Sequence, residues 1–208
     1  MARPRGARSQ GFADRRRALL EKLAARLSEP DGHRASMRTL AESAGVSVAT
    51  LRHYFDSREG LLSAYFAQSR ADGDRYLQMM AATELPLDKS IAEACRWIGE
   101  AGLIPEFRAL HEIGLREGLN GPTGGAYLEG VFEPTLAALE ARLALHVARG
   151  EMRPADLRTA GLMLLAPLTL GTLHQKSLSG ETIRPLDLDA FLAELAEAFL
   201  RAYAPPAQ

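Results

Sequence analysis

The residues best suited to contact another molecule lie in one short segment, 37–55. Within it, Arg52, His53 and Tyr54 place a guanidinium, an imidazole and a phenol at consecutive positions, directly after several small side chains. Small side chains let a helix approach a DNA groove closely, while basic and aromatic side chains contact phosphates and base edges. The segment therefore predicts binding to duplex DNA.

Two short helices must position these side chains. The spacing of apolar residues predicts helices over Met37–Ala44 and Val48–Tyr54, joined by a turn. In that turn Gly45 can adopt a positive φ without steric cost, and Ser47 can cap the second helix. The positions expected to face inward are Leu40, Ala41, Val46 and Leu51. This pattern predicts a helix-turn-helix.

The remaining segments also have helical periodicity. Further helices are predicted over about 14–27, 58–80, 87–103, 105–119, 126–149 and 154–177, with a last one from residue 188. Asp56 is the expected N-cap of the helix at 58, with Glu59 as its partner in a capping box. No alternation typical of strands occurs. The predicted fold is all-α, with an N-terminal three-helix DNA-binding domain and a larger C-terminal helical domain.

Charge is distributed unevenly along the chain. The 208 residues carry a net charge of −1, but residues 1–60 hold 12 basic and 7 acidic side chains, whereas the remainder has more acidic than basic side chains. A basic terminal segment attached to an acidic body is typical of a nucleic-acid-binding module joined to another domain.

Several other function classes are disfavoured. A single cysteine, Cys95, excludes a disulfide framework, and it is better explained as a small buried residue than as a redox sensor. His111-Glu112 begins like a zinc-protease helix, but Leu115 replaces the second histidine. We therefore expect no catalytic residue, metal or cofactor. The charge-free stretch at 160–173 is too short to span a membrane, and the N-terminus lacks a signal-peptide core, so a soluble cytoplasmic protein is expected.

Residues 13–62 resemble the N-terminal domain of the TetR family of bacterial transcriptional regulators. The resemblance rests on residues 40–47, on Thr50-Leu51 and on the segment after the second helix, Tyr-Phe-Asp-Ser-Arg-Glu-Gly-Leu-Leu at 54–62. It implies a DNA-binding domain over 1–60, with a flexible basic arm at 1–12, and a ligand-binding and dimerisation domain over 61–208. The implied function is that of a ligand-responsive homodimeric repressor on a palindromic operator. An activator or ligand-independent regulator, or a helical module that no longer binds DNA, are the alternatives.

The resemblance also suggests which residues contact DNA. The predicted set is Arg38, Thr39, Ser47, Val48, Ala49, Thr50, Arg52, His53, Tyr54 and Arg58. Arg52 stands where the family usually has a tyrosine that contacts phosphate, so its guanidinium has either a phosphate or a base edge as its target. Arg58 replaces a family lysine and is expected to keep a phosphate role. Arg3, Arg5 and Arg8 form either a DNA-contacting arm or a solvated tail.

The C-terminal domain is expected to bind a small apolar or amphipathic effector and to form the homodimer. In proteins of this family the cavity is surrounded by helices that here carry Trp97, Phe107, His111, Tyr127, Phe132, Met163 and His174. The competing interpretation is that these seven residues are ordinary core residues. Dimerisation is predicted through the last two long helices, whose apolar stripes include Leu162, Leu165, Leu168, Leu173, Leu188, Phe191, Leu195 and Phe199.

Overall fold

The computed structural model describes residues 5–29 and 31–205, and for residues 5–10 and 33 only the backbone. The described residues form helices and no strand, which confirms the all-α prediction. The helices are α1 Arg5–Leu27, α2 Met37–Ala44, α3 Val48–Phe55, α4 Arg58–Ala81, α5 Leu87–Leu103, α6 Pro105–Asn120, α7 Gly124–Tyr127, α8 Glu133–Ala148, α9 Leu157–Lys176, α10 Gly180–Ile183 and α11 Leu188–Tyr203. A 3₁₀ turn precedes α2 and a π-helix, Leu128–Phe132, precedes α8. None of these helices has the length and apolar character required to cross a membrane.

Helix α1 begins nine residues earlier than the sequence predicts. The backbone is helical from Arg5, so residues 5–12 do not form the expected flexible arm, whereas Arg3 lies outside the described residues. No proline interrupts residues 5–27, and the ring of Phe12 packs against the ring of Tyr54 with centroids 4.8 Å apart. That tertiary contact stabilises a polar turn that has no apolar periodicity of its own.

The hydrophobic core consists of two clusters, and the first one joins the two predicted domains. Buried leucines of α1 to α4 pack together with Ala109, Leu110 and Ile113 of α6 and with Tyr127 of α7. The second cluster packs the C-terminal end of α4 against α5, α8, α9 and α11. Because α4 continues without a break from residue 58 to 81, a boundary at residue 60 would lie inside one helix.

The helix predicted over 126–149 is interrupted. Pro134 has no N–H to donate to Gly130, and the N–H of Glu133 donates to the carbonyl of Leu128 instead, which closes a π-turn. Gly130 lies directly against Phe66, and a Cβ at this position would come within 2.8 Å of the Phe66 backbone oxygen. The π-helix therefore forms where the chain lacks a donor and packs closely on α4.

The two long C-terminal helices, α9 and α11, bury part of their apolar surface within their own subunit. Leu165, Leu168, Leu173 and Phe199 are buried, and Leu188, Phe191 and Leu195 are half-buried. The exposed apolar face of this region belongs to α9, where Leu162, Met163 and Leu170 are all at least two-fifths exposed.

Candidate nucleic-acid interface

Helices α2 and α3 form the predicted helix-turn-helix. The Ser36 hydroxyl accepts a hydrogen bond from the N–H of Thr39 at 3.2 Å, and that of Ser47 accepts one from the N–H of Thr50 at 3.0 Å. Gly45 ends α2 with a φ of 70°, the left-handed conformation that the sequence predicted. Leu40, Ala41 and Leu51 are buried between the helices, whereas Val46 is half-buried. These caps and contacts fix the orientation of α3.

Helix α3 presents a polar face to solvent. Ala49, Arg52 and His53 are exposed, and Val48, Thr50 and Tyr54 are half-buried. Leu51 and Phe55 alone of this helix are buried in the core. The face combines a short side chain near the N-terminus with basic groups one turn later, which is the arrangement that allows close approach to a groove and contact with its edges.

The other predicted contact residues differ in their surroundings. Arg38 is exposed and forms an ion pair with Glu42 at 3.1 Å. Thr39 is half-buried, and its hydroxyl shares a hydrogen bond with Ser36 at 3.0 Å. Ser47 is exposed, but its oxygen is occupied by the cap of α3. Arg38 is therefore the member of this group with an exposed charge, although that charge is paired with Glu42.

The predicted phosphate contact requires Arg58 to point to solvent, but its side chain points inward. Its guanidinium donates to the carbonyl oxygen of Ala35 and forms a half-buried ion pair with Glu117 of α6, with Nη2 and Oε1 3.2 Å apart. A phosphate contact would require this pair to break. Instead, Arg58 links the start of α4 to α6, and the partner that draws it inward is 59 residues away in sequence.

The junction between α3 and α4 is a tight turn. Asp56 has φ 64° and ψ −62°, and the N–H of Ser57 donates to the carbonyl of Phe55 at 2.7 Å, which makes a γ-turn. The predicted N-cap at Asp56 is wrong by one residue, because Ser57 caps α4 by accepting from the N–H of Gly60 at 3.1 Å. A hydrogen bond from its own backbone N–H, together with one from the Ser57 side chain, lowers the pKa of the Glu59 carboxyl group.

Helix α1 contacts the C-terminal end of α3. Phe12 packs against His53 and Tyr54, and Arg16 Nε donates to the carbonyl oxygen of Tyr54 at 3.4 Å. The Arg16 guanidinium also lies over the Phe55 ring, 5.2 Å from its centroid. These contacts were not predicted from the sequence, although Phe12 and Arg16 are spaced by one helical turn and share a face of α1.

Comparison with known proteins agrees with this geometry. Residues 20–65 match the model of a family described as bacterial regulatory proteins, tetR family. The match covers the helix-turn-helix and the helices on either side of it. Among characterised proteins, none matches the sequence.

The TetR-regulator fold extends over nearly the whole chain. A TetR-family regulator from Pectobacterium atrosepticum is 21% identical with a TM-score of 0.69, covering 99% of this chain and 100% of that one. SmeT, the repressor of the Stenotrophomonas maltophilia multidrug efflux pump SmeDEF, is 21% identical with a TM-score of 0.66, covering 92% and 91%. FadR from Bacillus subtilis, solved with stearoyl-CoA, is 15% identical with a TM-score of 0.68, covering 88% and 96%.

The predicted effector residues of this chain lie in several places. His111, Tyr127 and Phe132 are neighbours behind the DNA-binding domain, and His111 Nδ1 is 2.8 Å from the Tyr127 hydroxyl. Burial lowers the pKa of His111 to about 4 and raises the pKa of Tyr127 above its usual value. Trp97 instead lies under Arg142 of α8, 5.4 Å from its guanidinium.

The other three residues are more exposed. Phe107 is on the surface of α6, His174 is near the end of α9, and Met163 accepts a hydrogen bond from the Tyr203 hydroxyl at 3.1 Å. A groove of about 400 Å³ beside α1 and a crevice of about 110 Å³ between α5, α9 and α11 are both lined by other residues. The seven side chains therefore lie in several places, and their role in effector binding stays a prediction.

A buried polar network in the C-terminal helices was not anticipated. Arg142 is fully buried, and its guanidinium donates to Ser90 Oγ at 2.8 Å, to the Met80 carbonyl at 3.0 Å and to Glu93 at 2.5 Å. His146, also fully buried, bonds to Ser90 at 2.8 Å. The signal in the sequence was an arginine and a histidine one turn apart, next to the leucines of α8. Cys95 is buried nearby, and burial raises the pKa of its thiol to about 11, which disfavours a reactive thiolate.

Proposed function

We propose that this protein is a cytoplasmic transcriptional regulator, rather than an enzyme, that binds duplex DNA through α3. The observation that carries the proposal is the exposed face of α3 with Ala49, Arg52 and His53, held by a capped helix-turn-helix in a TetR-type domain. With α3 in the major groove, the small residues allow close approach and the basic residues lie near phosphates and base edges.

The proposed active form is a homodimer, and the partner copy packs against α9. Leu170 is 63% exposed and Leu162 is 42% exposed, about two turns apart on this helix, with Met163 beside Leu162. Exposed apolar side chains at such spacing are typical of a helix that packs against another subunit. Two α3 helices related by a two-fold axis would then contact the half-sites of a palindromic operator about 34–36 Å apart.

The regulator is proposed to act as a repressor that releases DNA when a small apolar or amphipathic effector binds. SmeT is described as a repressor and FadR from Bacillus subtilis is in complex with stearoyl-CoA, which supports this class of function. In this chain, α6 shares the first core cluster with α1 to α4, and Glu117 forms an ion pair with Arg58. A displacement of α6 would therefore change the position of α4 and the separation of the two α3 helices.

Binding of the proposed effector requires the C-terminal helices to move apart. The crevice between α5, α9 and α11 has a volume of about 110 Å³. Pockets for small molecules usually have volumes of about 300–1,000 Å³. An effector of ordinary size would separate the helices that line the crevice, and that separation is the proposed origin of the signal to the DNA-binding domain.

The test of DNA binding is a salt series with Arg52→Ala, with Arg75→Ala as the matched control. Both arginines are exposed, but Arg75 lies on the second half of α4, away from α3. If Arg52 contacts a phosphate, its loss should weaken binding equally on all duplexes and reduce the slope of log affinity against log salt by about one. If it contacts a base, its loss should cost about 1–3 kcal/mol on the operator alone. Arg75→Ala should leave both quantities unchanged. Equal behaviour of the two variants would contradict the proposed role of α3.

A further inference from the structure

Three aromatic rings meet on the surface where α1 crosses the end of the recognition helix α3. The centroids of Phe12 and His53 are 5.7 Å apart with the ring planes at 84°, and those of His53 and Tyr54 are 5.2 Å apart at 73°. Phe12 and Tyr54 are 4.8 Å apart at 32°. The imidazole of His53 therefore stands nearly perpendicular to two rings, and edge-to-face contacts of this kind have a preferred geometry.

The ring nitrogens of His53 have no partner in the described part of the chain. Among the described residues, the His53 side chain contacts the rings of Phe12 and Tyr54, and no hydrogen bond or ion pair involves its imidazole. The side chain is exposed on the same helix as Arg52. His53 thus has a restricted orientation and available polar atoms, the combination needed for contact with a base edge.

Arg16, one turn after Phe12 on α1, also contacts the C-terminal end of α3. It donates to the carbonyl of Tyr54 and lies over the Phe55 ring, so α1 contacts three successive residues of α3. The three rings themselves lie at the edge of the domain, since Phe12 is 39% exposed and His53 is exposed. A cluster this accessible to water adds less to the hydrophobic core than buried aromatic rings do.

We propose that Phe12 is a positioning residue that sets the orientation of His53 for sequence-specific DNA recognition. The inference rests on the proposed function of α3 and adds a determinant of specificity from outside the helix-turn-helix. The Phe12 ring restricts the imidazole to the rotamer seen here, and Arg16 holds the backbone that carries it. Phe12 acts through His53 and needs no DNA contact of its own.

The experiment uses full-length protein and duplexes that the wild type has selected from a random pool. The variants are Phe12→Ala, His53→Ala and the double variant, with Phe12→Tyr for rescue. Tyr76→Ala is the control, because Tyr76 is an exposed aromatic residue of α4 outside this cluster. Each protein is measured on the selected duplex, on its single-base variants and on a random duplex, and each melting temperature is recorded.

Phe12→Ala should lower affinity for the selected duplex by about tenfold, within the range for one misread base pair, and leave affinity for the random duplex unchanged. It should lose preference at the same base pair as His53→Ala, and the double variant should be no weaker than His53→Ala. Phe12→Tyr should restore the preference, and Tyr76→Ala should behave like wild type.

Additive losses in the double variant, an unchanged base preference, or a loss on the random duplex in proportion to a lowered melting temperature would each overturn the proposal. These results would leave the proposed function intact, because the wild type would still prefer its selected duplex. If the wild type selects no sequence at all, the proposed function fails, and the role of Phe12 fails with it.

Discussion

Replacing Asp56 with glycine should stabilise the protein, because the backbone at this residue occupies a region that L-amino acids rarely adopt. Asp56 has φ 64° and ψ −62° in the γ-turn between α3 and α4. A residue held in such a sparsely populated region costs about 1–3 kcal/mol. Glycine removes the steric cost, although its greater freedom in the unfolded chain takes back about 0.5–1 kcal/mol.

The expected net gain is about 1 kcal/mol in the free energy of unfolding. For a chain of this size, that corresponds to a rise of about 2–4 °C in melting temperature. The measurements are urea denaturation followed by circular dichroism and a thermal scan by calorimetry. Asp56→Ala is the matched control, because it also removes the carboxylate near the N-terminus of α4 but keeps a Cβ at the positive φ.

The comparison between the two variants isolates the backbone effect. Any loss of charge near the α4 N-terminus is common to both, so Asp56→Gly should exceed Asp56→Ala in stability by about 1–2 kcal/mol. A glycine variant that is no more stable than the alanine variant would refute the reasoning, since the γ-turn would then carry no strain.

Three further predictions concern the interior. Glu117→Gln removes the half-buried ion pair that joins α6 to α4 and should lower the free energy of unfolding by about 1–2 kcal/mol; an unchanged urea midpoint would contradict this. His111 has a folded pKa of about 4 against 6.5 in the unfolded chain, so its stabilising effect is complete above pH 6.5 and is lost as the pH falls towards 4. Wild type should therefore lose about 3 kcal/mol relative to His111→Gln over that interval, and parallel pH profiles would show that the site tolerates the charge. Glu93→Gln leaves the buried guanidinium of Arg142 without its carboxylate and should cost about 3 kcal/mol, whereas Glu100→Gln, in a solvent-exposed pair, should cost less than about 0.5 kcal/mol in the same urea titration.

Local signals in the sequence predicted the helix-turn-helix closely. The bounds of α2 and α5, the left-handed Gly45 and the cap at Ser47 depend on residues within a few positions of one another. The cap of α4 was misplaced because Asp56 and Ser57 have equally suitable side chains. Only the backbone conformation between two packed helices decides which of them precedes the helix.

Contacts between residues that are distant in sequence determine the features that the sequence did not predict. The inward orientation of Arg58 depends on a glutamate of α6, and the extension of α1 depends on a ring contact with α3. Aromatic and methionine residues of the C-terminal helices have the same spacing whether they line a cavity or fill a core, so the sequence could not separate Trp97, which packs on a buried arginine, from a ligand contact.

The central claim, that α3 recognises a specific duplex, is tested most directly by selection from a pool of random DNA with the full-length protein. We expect enrichment of an inverted repeat whose half-sites are separated by about one helical turn, or 10–10.5 base pairs between centres. The selected duplex should bind at least about 10³-fold more tightly than random DNA at physiological salt. A selection that enriches no sequence, or a selected duplex that binds no better than random DNA, would contradict the account.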